Sequence, residues 1–299
     1  MTASRSSRRF WGWARAIGGL ALLAVLGWRV GAGPFLAGVR RIDATALGVA
    51  IAVGAVTTVC SAWRWHLVAA RLGVRLPLPR AIAAYYRAQF LNTTLPGGIA
   101  GDVHRAVRHG RSIGDVRLGV RSVAVERIAG QAVIAVLGVL LLAFFPSPVR
   151  TYARYAVLPL AVLAAVLLWR QRRRAVDMRT DLPWLAMAGL SAVILAGHLT
   201  TFVVAARTAG ATASLDRLLP LTVCALLAMM LPLNLAGWGP REGVAAWAFG
   251  AAGLTAAQGV ATAVTYGVLG LAACLPGAVV LLARVLRPST SEAVVVAHG

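Results

Sequence analysis

The sequence predicts an all-α integral membrane protein, a polytopic helical bundle of six full spans and two re-entrant broken hairpins arranged as an inverted-topology repeat. Three observations carry that expectation. Apolar residues make up 59% of the 299 positions and mean hydropathy is +0.77, more than a soluble core uses. The formal net charge of +21 comes from arginine without lysine, and the arginines gather between apolar runs as they do in cytoplasmic loops. Finally, a short apolar stretch broken by Leu-Pro and glycines occurs twice. The stretch Ala81 to Arg111 contains Leu95-Pro96-Gly97-Gly98, and Leu218 to Gly253 contains Leu231-Pro232 and Gly237-Trp238-Gly239. Setting Pro96 on Pro232, an offset of 136, also pairs Leu95 with Leu231, Ala100 with Ala236, Gly101 with Gly237 and Arg105 with Arg241.

Taken in order, residues 1–16 form a basic segment whose arginines place the N-terminus in the cytoplasm. Ile17 to Val30 reads as an uncleaved first span; the off-register Arg8-Arg9 pair argues against an export signal. Ala44 to Trp63 is the second span, with Asp43 as helix cap and Trp63 and Trp65 at the interface. Ten arginines lie between Arg64 and Arg121, so both ends of the first broken stretch face the cytoplasm and it dips in and returns. Ser112-Ile113-Gly114-Asp115 has the form of a capping box opening a span that ends at Pro146.

Tyr155 to Trp169 crosses back, arginines from Arg170 to Arg179 mark an inner loop, and Asp181 with Pro183 starts an outward span, Leu182 to Ala206. The second broken stretch then enters from the outer face. Thr255-Ala256-Ala257-Gln258 is a second capping box, before a span to Ala283, and Arg284 and Arg287 place the C-terminus inside. Residues 17–145 and 153–283 are thus two halves with three crossings and one broken hairpin each, and 284–299 a cytoplasmic tail. Three crossings being odd, the second half is inverted.

Unwound backbone at membrane depth survives only against protein or a wet cavity. The two glycine-rich breaks therefore predict a chamber in which free N–H groups, helix N-termini and guanidinium groups meet an anion. Candidate binding residues from the first half are Arg87, Asn92, Gly97, Gly98, Gly101, Asp102, Arg105, Glu126 and Arg127. The second half supplies Asn234, Gly237, Gly239, Arg241 and Glu242. Carboxylates in membrane segments are expensive unless paired. Glu126 is expected to pair with Arg127, Arg121 or Ser122, while Tyr85 and Tyr86 read as interface-belt residues and His104 as a cytoplasmic-face residue.

Cys60, Cys224 and Cys274 sit inside apolar runs as small hydrophobes, and with no HExxH or paired CxxC the sequence offers no catalytic residue, metal site or cofactor. The basic charge lacks the soluble face with interleaved aromatics that nucleic-acid binding needs.

Arg87-Ala88-Gln89-Phe90-Leu91-Asn92, Leu95-Pro96-Gly97-Gly98, Gly101-Asp102 with Arg105, Glu126-Arg127 with Gly130, and Gly237-Trp238-Gly239-Pro240-Arg241-Glu242 together resemble the lysylphosphatidylglycerol synthase transmembrane region family of flippase-like domain proteins. The resemblance covers nearly the whole chain. It implies translocation of a phospholipid or lipid-linked headgroup between leaflets of the cell membrane, the partner being a membrane lipid, an anionic phospholipid or lipid-linked intermediate. In larger relatives the domain is fused to a soluble aminoacyl transferase. Here the spans leave no room for one, so any transferase chemistry belongs to a separate synthase or glycosyltransferase; a homodimer is a further partner reading. Two rivals stand beside the flippase. One is a membrane transferase acting on a polyprenyl-phosphate or phospholipid, which usually wants clustered carboxylates such as a DxD pair, absent here. The other is a non-transporting scaffold of a lipid synthase.

Overall fold

The computed structural model describes residues 33–95, 98–160, 162, 183–230 and 239–285. The first predicted span, most of Tyr155 to Trp169, the Arg170–Arg179 loop, the two tails, and Pro96, Gly97, Asn234 and Gly237 lie outside the described residues. Within them the chain is helical, with no strand: α1 (Gly33–Arg40), α2 (Ala44–Arg71), α3 (Leu78–Thr94), α4 (Ala100–Ser112), α5 (Val116–Phe144), a helical run over 150–160, then α6 (Trp184–Thr208), α7 (Leu215–Ala228), α8 (Pro240–Ala251) and α9 (Ala256–Val285). α2, α5, α6 and α9 are long and apolar enough to cross a membrane. Large apolar side chains such as Leu185 (92% exposed) and Ile128 (69%) point away from the protein, as they do where the surrounding medium is hydrocarbon. The protein is a helical membrane protein.

Four short helices sit between the long ones. At 1.5 Å per residue the 17 residues of α3 reach roughly 25 Å and the 14 of α7 roughly 21 Å, short of a hydrocarbon core about 30 Å thick. α3 stops at Leu95, whose backbone turns extended, and Gly98 takes φ 61° before α4 begins. Gly239, at φ 118°, opens α8; a side chain is strained in either conformation. α3 packs on α4 and α7 on α8, so each broken stretch is a hairpin with its limbs in contact.

The packing pairs the elements in a regular way. α5 lies against α4, α2 and α7, while α9 lies against α8, α6 and α3; α2 packs on α6. Each hairpin's first limb is therefore held by the last long helix of the other half of the chain. Small residues allow these approaches: a Cβ on Gly101 would stand 2.0 Å from the Ala88 carbonyl oxygen, and one on Gly259 would stand 2.3 Å from that of Ala245.

Local details differ from the sequence expectation in several places. α2 continues two turns beyond Trp63 to Arg71, burying Arg64 and Trp65. The apolar period that carries it is Ala62, Trp65 and Ala69. At the start of α5 the cap is Asp115, whose carboxylate accepts the Leu118 N–H (2.9 Å); Ser112 instead donates to the His109 carbonyl at the end of α4 (2.7 Å). Thr255 accepts the Gln258 N–H (3.1 Å), but the Gln258 amide reaches Gly210 rather than returning, so only half of that box forms. Asp43 caps α2 as expected, through the Ala46 N–H (2.7 Å). Finally, α4 and α8 start 140 positions apart, at Ala100 and Pro240, and so do α5 and α9, at Val116 and Ala256. More residues separate α7 from α8 (Ala228 to Pro240) than α3 from α4 (Thr94 to Ala100), so the proline-anchored offset of 136 does not carry through to α8. In the helical register Asp102 is opposite Glu242, and Arg105 is not opposite Arg241.

Candidate functional site

The most expensive groups to place in such an interior are the carboxylates, and their partners organise the first half. Glu126, on α5, is fully buried. Its Oε1 accepts from Arg64 Nη2 (2.7 Å) and Nε (3.2 Å) on α2. Its Oε2 accepts from Arg105 Nη2 (2.9 Å) on α4 and from the Tyr85 hydroxyl (2.7 Å) on α3. Arg64 also donates to Ser191 of α6 (2.9 Å). One carboxylate thereby ties five helices together, and its lone pairs are satisfied, the condition under which a buried charge is tolerated. A Cβ on Gly130 would meet the Arg64 guanidinium at 2.5 Å, so that position is cleared for the arginine.

This corrects the expected pairing of Glu126 with Arg127, Arg121 or Ser122. Neighbours on a helix point about 100° apart and do not face each other; Arg127 turns to Asp102 instead (3.2 Å). Ser122 donates to Gly119 and accepts from Trp65. Tyr85 is likewise a buried ligand of Glu126 rather than an interface-belt residue. Arg105, with its guanidinium 4.1 Å from the Tyr85 ring and 4.8 Å from the Trp65 ring, also pairs with Asp102 (2.9 Å). Such stacking on aromatic faces suits a desolvated guanidinium.

The first break is clasped by Asn92 at the end of α3. Its Oδ1 accepts the Gly101 N–H (2.7 Å) and its Nδ2 donates to Asp102 (3.0 Å). At the second break Glu242 plays the corresponding part. One oxygen accepts the Gly239 N–H (2.7 Å), satisfying a donor at the start of α8, and the other pairs with Arg241. The Arg241 guanidinium lies 5.3 Å from the Tyr266 ring centre, and the Tyr266 hydroxyl is 2.9 Å from His198 Nδ1.

A cavity of about 350 Å³ lies between the two breaks, at the lower end of the range for small-ligand pockets. Among the predicted residues, Asn92, Gly98, Arg127 and Arg241 line it. Asp102, Arg105, Glu126 and Glu242 stand behind the wall in the ion pairs just described, and Gly239 serves as helix cap. Gly101 belongs to the packing of α4 on α3, and Arg87 is buried, 3% exposed, and is not a lining residue. His104 is exposed on α4. Gly97, Asn234 and Gly237 are outside the described residues.

A family model described as the lysylphosphatidylglycerol synthase TM region matches residues 15–277. The chain belongs to that family. No individually curated protein matches it. The lysylphosphatidylglycerol synthase TM region match takes in both breaks, the ion cluster and the whole cavity wall.

Within this TM region the sequence reading missed Arg64, assigned to a loop because the span was ended at Trp63, two turns before the helix ends at Arg71. It also missed the polar residues that complete the cavity wall, Gln89 and Gln131 with His198 and Tyr266. The available signal was polarity inside an apolar span: Gln131 lies one helical turn from Arg127 and so shares its face.

Proposed function

We propose that the protein moves an anionic phospholipid or lipid-linked headgroup between leaflets of the cell membrane, the headgroup crossing through the cavity while the tails stay in lipid. On this reading the chain has six full spans and two re-entrant hairpins in inverted halves, both termini are cytoplasmic, and rocking of one half against the other alternates access. It is a transporter without a catalytic centre, and the chemistry that makes or consumes the lipid is left to a separate synthase or glycosyltransferase.

The observation that carries the proposal is the convergence on one cavity of residues from both breaks, Asn92 and Gly98 from the first and Arg241 from the second, with Arg127 beside them. The guanidinium groups of Arg127 and Arg241, held in place by Asp102 and Glu242, offer N–H donors at the wall to the oxygens of an anionic headgroup. The interlocked packing of each hairpin against the other half's long helix and the recurrence of helix starts at a fixed offset support the repeat. Membership of the lysylphosphatidylglycerol synthase TM region family supports a lipid as cargo.

The test is transport of tail-labelled phosphatidylglycerol in vesicles reconstituted with the whole chain. Wild-type protein is expected to accelerate exchange over protein-free vesicles, and Arg241→Ala to reduce that rate by at least about tenfold, a loss typical of a desolvated charge-assisted contact. Unfolding in detergent at the wild-type temperature controls for misfolding. A folded Arg241→Ala protein that transports at the wild-type rate removes this residue from the mechanism, and a wild-type protein that accelerates nothing refutes transport.

A further inference from the structure

The two guanidinium groups on the cavity wall bring little net charge, because Arg127 is paired with Asp102 (3.2 Å) and Arg241 with Glu242. A phosphate group that leaves water for this cavity finds N–H donors there, but its negative charge is left unbalanced, and an unbalanced charge in a desolvated place is expensive. The remaining titratable groups on the wall are His198, Tyr266 and Cys274. The undescribed residues of the two breaks, 96–97 and 231–238, add none. Tyrosine and cysteine change charge only by becoming anions, whereas histidine becomes a cation near neutral pH.

His198 sits half-buried on α6, and its Nδ1 is 2.9 Å from the Tyr266 hydroxyl of α9. With that hydroxyl donating to Nδ1, the ring proton of the neutral imidazole is on Nε2, the nitrogen left for a ligand. α6 packs against α2, α5, α7 and α9. From α2 comes Arg64, held by Glu126 of α5 (2.7 Å), and from α5 comes Arg127. α9 brings Tyr266 and Cys274, while α7 carries Cys224 and, exposed in its first turn, Asp216 and Arg217. Arg241 stands over the Tyr266 ring with Glu242 beside it. Asp102, Glu126 and Glu242 are each taken up by arginine, so an imidazolium on the wall meets its counter-charge when an anion occupies the cavity.

We propose that His198 is a proton-binding site linked to the cavity, so that a phosphate group and a proton occupy it together. The proton adds to Nδ1, the Tyr266 hydroxyl turns from donor to acceptor, and the Nε2–H donates to a phosphate oxygen. The linkage is reciprocal: the proton raises the affinity for phosphate by the factor by which phosphate raises the affinity for the proton. This rests on the lipid-translocating reading for the identity of the phosphate's carrier, and under that reading each headgroup crosses with a proton.

The experiment measures binding of short-chain phosphatidylglycerol to the detergent-solubilised full chain by titration calorimetry, in buffers of different ionisation enthalpy. It is run at about pH 5.5 and about pH 7.5, on either side of the ordinary histidine range. The lipid is a monoanion at both, so proton uptake belongs to the protein. The wild-type protein is expected to bind at least about fivefold more tightly at the lower pH, with uptake of up to about one proton per lipid. His198→Gln should bind equally at both pH values and take up none, while His104→Gln, exposed on α4, keeps the wild-type pH dependence. Tyr266→Phe removes the acceptor for Nδ1–H and should shrink the pH dependence, which serves if His198→Gln does not fold. No binding at either pH, wild-type binding that ignores pH, or a full pH dependence in both folded variants overturns the inference. Equal, proton-linked binding of glycerophosphoglycerol, the same headgroup without tails, upholds the proton site and overturns a lipid as its ligand. Protein that carries tail-labelled phosphatidylglycerol across vesicles yet binds it without a proton refutes this inference alone; proton-linked binding by protein that carries none refutes the transport reading alone.

Discussion

Glu126→Gln isolates the contribution of the ion cluster, because the amide keeps the shape of the carboxylate and removes its charge. In the wild-type protein the carboxylate is fully buried and receives Arg64, Arg105 and Tyr85 within 2.7–3.2 Å. The substitution leaves Arg105 with Asp102 and two aromatic rings, but it removes the carboxylate charge that Arg64 pairs with, so this buried guanidinium faces only neutral acceptors in the cluster, the new amide oxygen and the Ser191 hydroxyl. Removing one member of a buried ion pair costs about 3–5 kcal/mol because the other charge stays buried. For a chain of this size that corresponds to a fall in melting temperature of roughly 10 °C. Trp65 is 1% exposed and donates to Ser122 within the cluster, so tryptophan fluorescence of the detergent-solubilised protein reports the transition. In the Glu126→Gln background, Arg64→Met should cost less than it does in the wild type, with a coupling of about 1–3 kcal/mol, because it removes an uncompensated cation. A Glu126→Gln protein that melts within about 2 °C of wild type, or additive effects of the two substitutions, refutes the account of the cluster as a mutually dependent unit.

The remaining predictions concern the backbone around the breaks. Gly101→Ala drives a methyl group against the Ala88 carbonyl and should destabilise the protein by roughly 1–3 kcal/mol. By contrast, Gly48→Ala, exposed on α2 with open space around it, should be neutral or raise stability by about 0.5–1 kcal/mol; thermal unfolding of the two variants checks both. Asn92→Ala leaves the Gly101 N–H without its acceptor and should cost about 1–3 kcal/mol, with faster hydrogen exchange at Gly101. Exchange there at the wild-type rate contradicts the clasp. Gly239→Ala, forced to adopt φ 118°, should destabilise by about 1–3 kcal/mol, again read by unfolding.

Family membership, helical class and the existence of two breaks were readable from the sequence because each depends on local features. Apolar runs of span length, arginine between them, and proline with glycine inside a run that is otherwise helical act through the segment that carries them. Asn92 and Arg241, which line the cavity, stood out for the same reason, each being a polar side chain beside a break, whereas Arg127 stood out as a charge inside a span next to Glu126.

Partner identity was not local. Arg64 reaches Glu126 across 62 positions of chain and Ser191 across 127, so no window of sequence contains the interaction, and the arginine looked like the first residue of a loop. The register of α8 was hidden similarly, since it starts at Pro240 and not at the Ala236 that a proline-to-proline alignment sets against Ala100. The sequence by itself determined that the chain is built of apolar helices and that two of its apolar runs must break, because hydrogen bonding in hydrocarbon is settled within each segment. Only the tertiary structure decided which charges face one another and which face the cavity. That choice follows from how the helices pack on one another, where about one turn of helix separates a side chain that closes a buried ion pair, Glu126, from one that lines the cavity, Gln131.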